Sequence, residues 1–107
     1  MIIVRTVFQG KFGSGGELAK AMTQGNEEMS EMMAKVTGGR RKWRVLTDLS
    51  GSFDTVVFEV EAESLGEWEK VRAAMFAQPD FGESMAQTVD MIVGGRNEYW
   101  TVEAEGE

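Results

Sequence analysis

Two runs of strict alternation, separated by a short polar turn, constrain this chain most. Between Lys42 and Leu49, the residues Trp43, Val45, Thr47 and Leu49 share one side, and Lys42, Arg44, Leu46 and Asp48 share the other. Between Asp54 and Ala62, Val56, Phe58, Val60 and Ala62 stand against Val57, Glu59 and Glu61. A period of two is the pattern of a half-buried strand, and Ser50-Gly51-Ser52 between the runs is turn chemistry. The pair reads as a β-hairpin with one apolar and one charged face. Such a hairpin belongs in an antiparallel sheet that buries only one side within the monomer.

The flanking segments extend the sheet and cover it. Ile2 to Phe8 is rich in β-branched and aromatic residues and is apolar on both sides apart from Arg5, which predicts a first strand. A glycine-rich turn, Gly10 to Gly16, follows, and Ser14 with Glu17 three residues on forms a capping box that opens a helix. Leu18, Met22, Met29, Met32 or Met33, and Val36 keep a period near 3.6, so one helix is expected up to Thr37-Gly38-Gly39. Gly25 lies on the same stripe and marks either a kink or a close contact. Ser64 and Glu67 form a second capping box, ahead of the stripe Leu65, Trp68, Val71, Arg72, Met75 and Phe76. Pro79 breaks this helix. A continuation through Phe81, Met85, Val89 and Ile92 is expected to stop at Gly94-Gly95, and Arg96 to Glu103 is the last strand.

The expected fold is therefore α+β, a ferredoxin-like split βαβ arrangement (β-α-β-β-α-β, with the second helix broken at Pro79) in one domain over residues 1–107. At this length a chain buries roughly two-thirds of its unfolded surface, enough for one modest core. Ile3, Val7, Leu46 and Val57 fall with Arg5, Arg44, Glu59 and Glu61 on the face opposite the helices. A mixture of that size is better covered than wet, so two sheets are expected to pack together in a twofold homodimer.

Composition narrows the chemistry. The chain has no His and no Cys, which excludes Cys/His zinc sites, thiol nucleophiles, Ser-His-Asp triads, disulfides and His- or Cys-ligated haem. No cofactor and no metal site are expected, since the acidic residues have no spacing such as that of an EF-hand loop. A net charge of -7 argues against nucleic acid and anionic membranes as partners. The short apolar start Met1-Ile2-Ile3-Val4 and the lack of a long apolar run suit a cytoplasmic protein. The glycine-rich turn stands in the context that holds anions but matches neither G-x-x-x-x-G-K-[ST] nor G-x-G-x-x-G, so a flexible connection is the expected reading.

The segments carry a family likeness over nearly the whole chain. A strand leading into Lys11-Phe12-Gly13 and a helix at Glu17-Leu18 resembles the opening of NIPSNAP-like and antibiotic biosynthesis monooxygenase-like proteins. Ser64-Leu65-Gly66-Glu67-Trp68-Glu69, followed by Gln78-Pro79-Asp80-Phe81, is similar to the S-L-x-E-W helix and D-P-x-F step of the same dimeric α/β-barrel superfamily. The resemblance implies a homodimeric barrel with a pocket between sheet and helices in each subunit. Its haem-degrading members need a His that this chain lacks, whereas its cofactor-free monooxygenases use Asn, Trp, Arg and Tyr groups around a substrate that itself activates oxygen.

Candidate residues follow. Trp43, Trp68, Trp100, Tyr99, Phe58, Phe76 and Phe81, with the helical Met residues, furnish a core and also the walls of an adaptable apolar pocket. Trp43, Arg44, Trp68 and Tyr99 are the expected ligand-binding residues, and no catalytic residue is assigned. Arg40-Arg41-Lys42 and Arg44 gather four of the 11 basic residues, expected as cross-strand or interface partners of Glu59 and Glu61. Three functions fit. They are binding of a small apolar or aromatic metabolite, cofactor-independent monooxygenation of a polyphenol, and a structural or interaction dimer.

Overall fold

The computed structural model describes every residue except Gly25, and Asn26 by its backbone only. Its elements run β1 (Ile2–Gly10), α1 (Gly15–Thr23), α2 (Asn26–Thr37), β2 (Trp43–Thr47), β3 (Thr55–Ala62), α3 (Leu65–Ala77), α4 (Phe81–Val89) and β4 (Ile92–Thr101). The four strands form one antiparallel sheet in the order β2-β3-β1-β4. This is the ferredoxin-like α+β fold, with the hairpin β2-β3 folded beside β1.

Alternation decides the two faces. Ile2, Val4, Thr6 and Phe8 lie in register with Ala62, Val60, Phe58 and Val56 on β3, and this side is covered by helices. Val4, Met33, Val60, Ala62, Trp68 and Val71 form its core, with Met29, Met32, Trp43, Phe58 and Met75 packed around them. Leu18 of α1 and Val56 are fully buried nearby. Stiff β-branched side chains on the strands meet flexible Met on the helices, a side chain that adapts to irregular space.

Three local expectations are corrected. The single first helix is two. Gln24 turns extended at ψ 144° after α1, while the Thr23 hydroxyl donates to the Lys20 carbonyl at 2.8 Å and competes with the helical ladder; Gly25, the expected kink or contact, lies outside the described residues. Ser14 does not form a capping box, because its hydroxyl points at the carbonyls of Lys11 (2.6 Å) and Met91 (3.1 Å). Gly94 and Gly95 do not stop a helix. They pair with Gln9 and Phe8 inside β4, and Ile92 belongs to that strand, because β1 offers its free edge there.

The second capping expectation holds in a modified form. Ser64 Oγ accepts from the Glu67 N–H at 3.1 Å, while the Glu67 carboxylate accepts from Glu63 N–H at 2.7 Å, one residue earlier than a capping box requires. Gln78 leaves α3 in an extended conformation ahead of Pro79, and α4 starts after Asp80.

Candidate functional site

The helix-free face of the sheet carries the features that need explaining. Its middle row is a ladder of alternating charge. Arg44 on β2 stands opposite Glu59 on β3, Glu59 opposite Arg5 on β1, and Arg5 opposite Glu98 on β4. Arg44 Nε donates to Glu59 Oε2 at 2.6 Å, Arg5 Nε lies 3.5 Å from Glu59 Oε1, and Arg5 Nη1 lies 3.7 Å from Glu98 Oε1. Glu59 is the one buried charged residue among the described residues. A buried carboxylate is tolerated when paired, and Glu59 has a guanidinium on each side. Arg5 Nε is itself enclosed without a hydrogen bond.

Glu98 is held below the usual carboxylate range by hydrogen bonds from the Trp100 indole N–H (3.2 Å) and Arg96 (3.0 Å), with the charges of Arg96 and Arg5 adding to the effect. It stays ionised, which keeps the ladder's sign pattern intact. Sequence reasoning found the two glutamates of β3 and missed Glu98, because only the strand order places β4 beside β1.

Next to the ladder lies a groove of about 590 Å³. Its floor is Val7 and Val57, only 6% and 8% exposed, and its rim includes Arg5, Gln9, Asp48, Thr55 and Arg96. An apolar floor with a few polar groups converging on it is the usual form of a small-molecule site. A second cleft, of about 380 Å³, opens at the β2 edge among Arg41, Lys42, Trp43, Arg44, Glu59 and Glu61.

The four expected ligand-binding residues do not converge. Trp68 is buried in the core beneath the helices. Trp43 packs on the same core, its ring 5.9 Å from Phe58, with its indole N–H donating to Ser30 Oγ at 3.0 Å. Tyr99 stands in register with Val4 and so shares the helix side, but is half exposed on the edge strand β4. Arg44 is on the opposite face, in the ladder. The space between sheet and helices around Trp68 is filled by protein side chains.

The glycine-rich turn is also accounted for. Asp54, reaching in from the β2-β3 connection, accepts from Gly13 N–H at 2.9 Å and Gly15 N–H at 2.8 Å. Its carboxylate occupies the amides at the start of α1 that an anionic ligand would need. Among the described residues no group of three or more Asp, Glu, His or Cys is placed to hold a metal, and no helix is long and apolar enough to cross a membrane.

Fold and faces together define a ferredoxin-like α+β protein with an open, charge-patterned sheet. Among solved structures the chain is similar to NIPSNAP-type proteins and to antibiotic biosynthesis monooxygenase-like proteins. An uncharacterized NIPSNAP-like domain protein from Burkholderia xenovorans superposes with a TM-score of 0.80 at 14% identity, over 99% of this chain and 88% of that one. Another NIPSNAP domain protein from the same organism gives 0.77 at 16% identity, covering 100% and 99%. A putative antibiotic biosynthesis monooxygenase from Chloroflexus aurantiacus gives 0.64 at 12% identity, covering 98% and 96%. At these identities the likeness is one of fold. No family model matches the chain, and no curated protein matches it in sequence.

Proposed function

We propose that the protein is a homodimer whose two sheets meet on their helix-free faces and enclose a binding space for a small apolar or aromatic molecule. The observation that carries this reading is the groove over Val7 and Val57, an apolar floor rimmed by Arg5, Gln9 and Arg96 on a face that no helix covers. The guanidiniums on the rim favour a ligand with a carboxylate or phenolate group. Arg44 borders the smaller cleft at the β2 edge of the same sheet, where it extends the open-face space, while the ring of its neighbour Trp43 packs on the helix side with Phe58. Tyr99 and Trp68, on the other side, serve packing and the edge of β4.

Thermal shift with a panel of small aromatic acids and phenols tests this. A ligand of the native state raises stability, by about 2.7 kcal/mol at a concentration 100 times its Kd. Val57→Phe fills the groove floor, so it should abolish the shift while leaving the circular dichroism spectrum unchanged. A shift that survives Val57→Phe places the ligand elsewhere, and no shift with any compound favours the structural dimer.

A second reading is supported by the same rim guanidiniums, which can stabilise the anion of a phenolic substrate. In cofactor-independent monooxygenation an anthrone-type methylene reacts with O2 to give a carbonyl and water. The substrate supplies all the electrons, one oxygen atom enters the product, and the other leaves as water. Oxygen uptake with such substrates tests it. Binding without uptake leaves the first reading alone.

A further inference from the structure

The β4 end of the groove holds a feature that folding does not explain. Gln9 pairs with Gly94 and Gly10 with Ile92, so Val93 stands between them as a bulge without a partner, 63% exposed and lining the groove. Bulges re-aim side chains and gather beside functional sites. The next residue, Gly94, shares the open face with Gln9, and a Cβ on it would meet nothing within 4 Å. Its backbone is not in the left-handed region either. Gly95 is different, since a Cβ there would strike the Val7 carbonyl oxygen. A glycine inside a strand weakens it, and where neither packing nor backbone requires one, it suits close approach by a ligand. Along β4, Gly94 therefore leaves a recess with an apolar wall, Val93, on one side and the guanidinium of Arg96 on the other.

The charges around this recess favour one anion. Arg96 donates through Nε to Glu98 at 3.0 Å, which sets the plane of its guanidinium and leaves its two terminal nitrogens for a ligand. Arg5, one row away on β1, has Glu59 and Glu98 only at 3.5 and 3.7 Å, too far for good hydrogen bonds. Arg44, Arg5 and Arg96 thus stand against two carboxylates, Glu59 and Glu98, and one positive charge is left over. At the far end of the groove Asp48, whose carboxylate accepts from Thr55 N–H at 3.0 Å, repels a second anion. Between the two ends, Val7 and Val57 follow Arg96 in a single row across the strands. From β4 to β3 is two strand spacings, about 10 Å, the reach of an extended chain of about eight carbons. None of the residues lining the groove is aromatic, so nothing there stacks on a ring.

We infer that Gly94 is a specificity-determining residue of the groove, whose bare backbone admits the carboxylate of a linear aliphatic monocarboxylate of medium chain length. Arg96 and Arg5 pair with the carboxylate, and the chain lies over Val7 and Val57. This inference rests on the binding groove of the proposed function and names the class and orientation of its ligand.

Calorimetric titration at pH 7 with sodium octanoate, octanol and suberate, a chain of the same length with a carboxylate at each end, tests it. Octanoate should bind the unsubstituted chain at least about tenfold more tightly than either of the others, the worth of charge-assisted hydrogen bonding. Gly94→Val fills the recess with a residue that favours strands. It should weaken octanoate at least about tenfold, while melting no lower than the unsubstituted chain and keeping its sedimented mass. Arg96→Gln is a second variant, and should bring octanoate down to the affinity of octanol.

Undiminished octanoate binding by Gly94→Val, or equal binding of octanoate and octanol by the unsubstituted chain, overturns the inference. A loss of binding that comes with a lower melting point or a changed mass assigns Gly94 to folding or to contact between copies, and overturns it as well. If an aromatic acid still gives a thermal shift that Val57→Phe abolishes, the groove stands and only the assignment of Gly94 and its ligand falls. Absence of binding by every compound of both panels overturns the groove too.

Discussion

Asp54, at φ 59° in the connection before β3, accepts the N–H of Gly15 at the start of α1 from 39 residues away in sequence. Its second carboxylate oxygen takes Gly13, and its backbone carbonyl takes Gly10. One side chain thus ties the first helix to the hairpin. Asp54→Ala should cost about 1–2 kcal/mol, the range for losing a helix cap, visible as a lower urea midpoint with an unchanged slope. Asp54→Asn, which tolerates the left-handed backbone and retains one acceptor oxygen, should cost less.

Gly15 is needed for the same contact, because a Cβ there would come within 2.9 Å of the Asp54 Cα and Oδ1. Gly15→Ala should therefore destabilise the fold although alanine favours helices. Gly16→Ala, with open space around it, should be neutral or stabilising. Thermal unfolding of the two variants side by side checks the contrast.

Glu67 joins α3 to the segment before β2. Arg41 donates to it through two nitrogens, at 2.8 and 3.2 Å, and Glu63 N–H adds a third bond. The Arg41 hydrogen bond is the main cause holding the Glu67 carboxyl below its usual range. Because the folded pKa is depressed, the stabilisation is present above the unfolded value of about 4.3 and is lost as pH falls through the lower folded value. Glu67→Gln should melt lower than the unsubstituted chain at pH 7, and the gap should close as the pH is taken below about 4. A gap that stays constant with pH would show that the Arg41 pairing contributes nothing.

The aromatic residues divide by burial. Trp68 is 7% exposed in the core, and Trp68→Ala should cost about 3–5 kcal/mol, a large share of a typical domain's stability. Tyr99 is 51% exposed, and Tyr99→Ala should change stability by less than about 0.5 kcal/mol. Chemical denaturation measures both.

Much of the fold was legible in the sequence because its signals are local. The alternation from Trp43 to Ala62, the Ser64 cap and the Pro79 break each depend on residues a few positions apart. The failures share a different cause. Ser14 followed by Glu17 has the form of a capping box, but the Ser14 hydroxyl is drawn to the carbonyl of Met91, 77 residues away, and to that of Lys11, and the distant contact is one no local motif reveals. Gly94-Gly95 has the form of a helix stop, yet the chain there passes so close to β1 that a Cβ on Gly95 would lie 2.9 Å from the Val7 carbonyl oxygen. Glycine at that position serves the strand.

The candidate site was legible in part. Arg44, Glu59 and Arg5 were identifiable as open-face residues from parity alone. Their union with Glu98 into one ladder requires the order β2-β3-β1-β4, which pairs strands distant in sequence. Trp43, Trp68 and Tyr99 share the helix side by alternation and packing, so one pocket holding them together with Arg44 would have to cross the sheet.

The open face as a meeting surface between two copies is the central claim. Sedimentation equilibrium of the unsubstituted chain at low salt, over a wide range of concentration, tests it most directly. A face-to-face dimer predicts twice the mass of the chain, with dissociation to the single chain only at high dilution or high salt. The mass of a single chain at every concentration would contradict it.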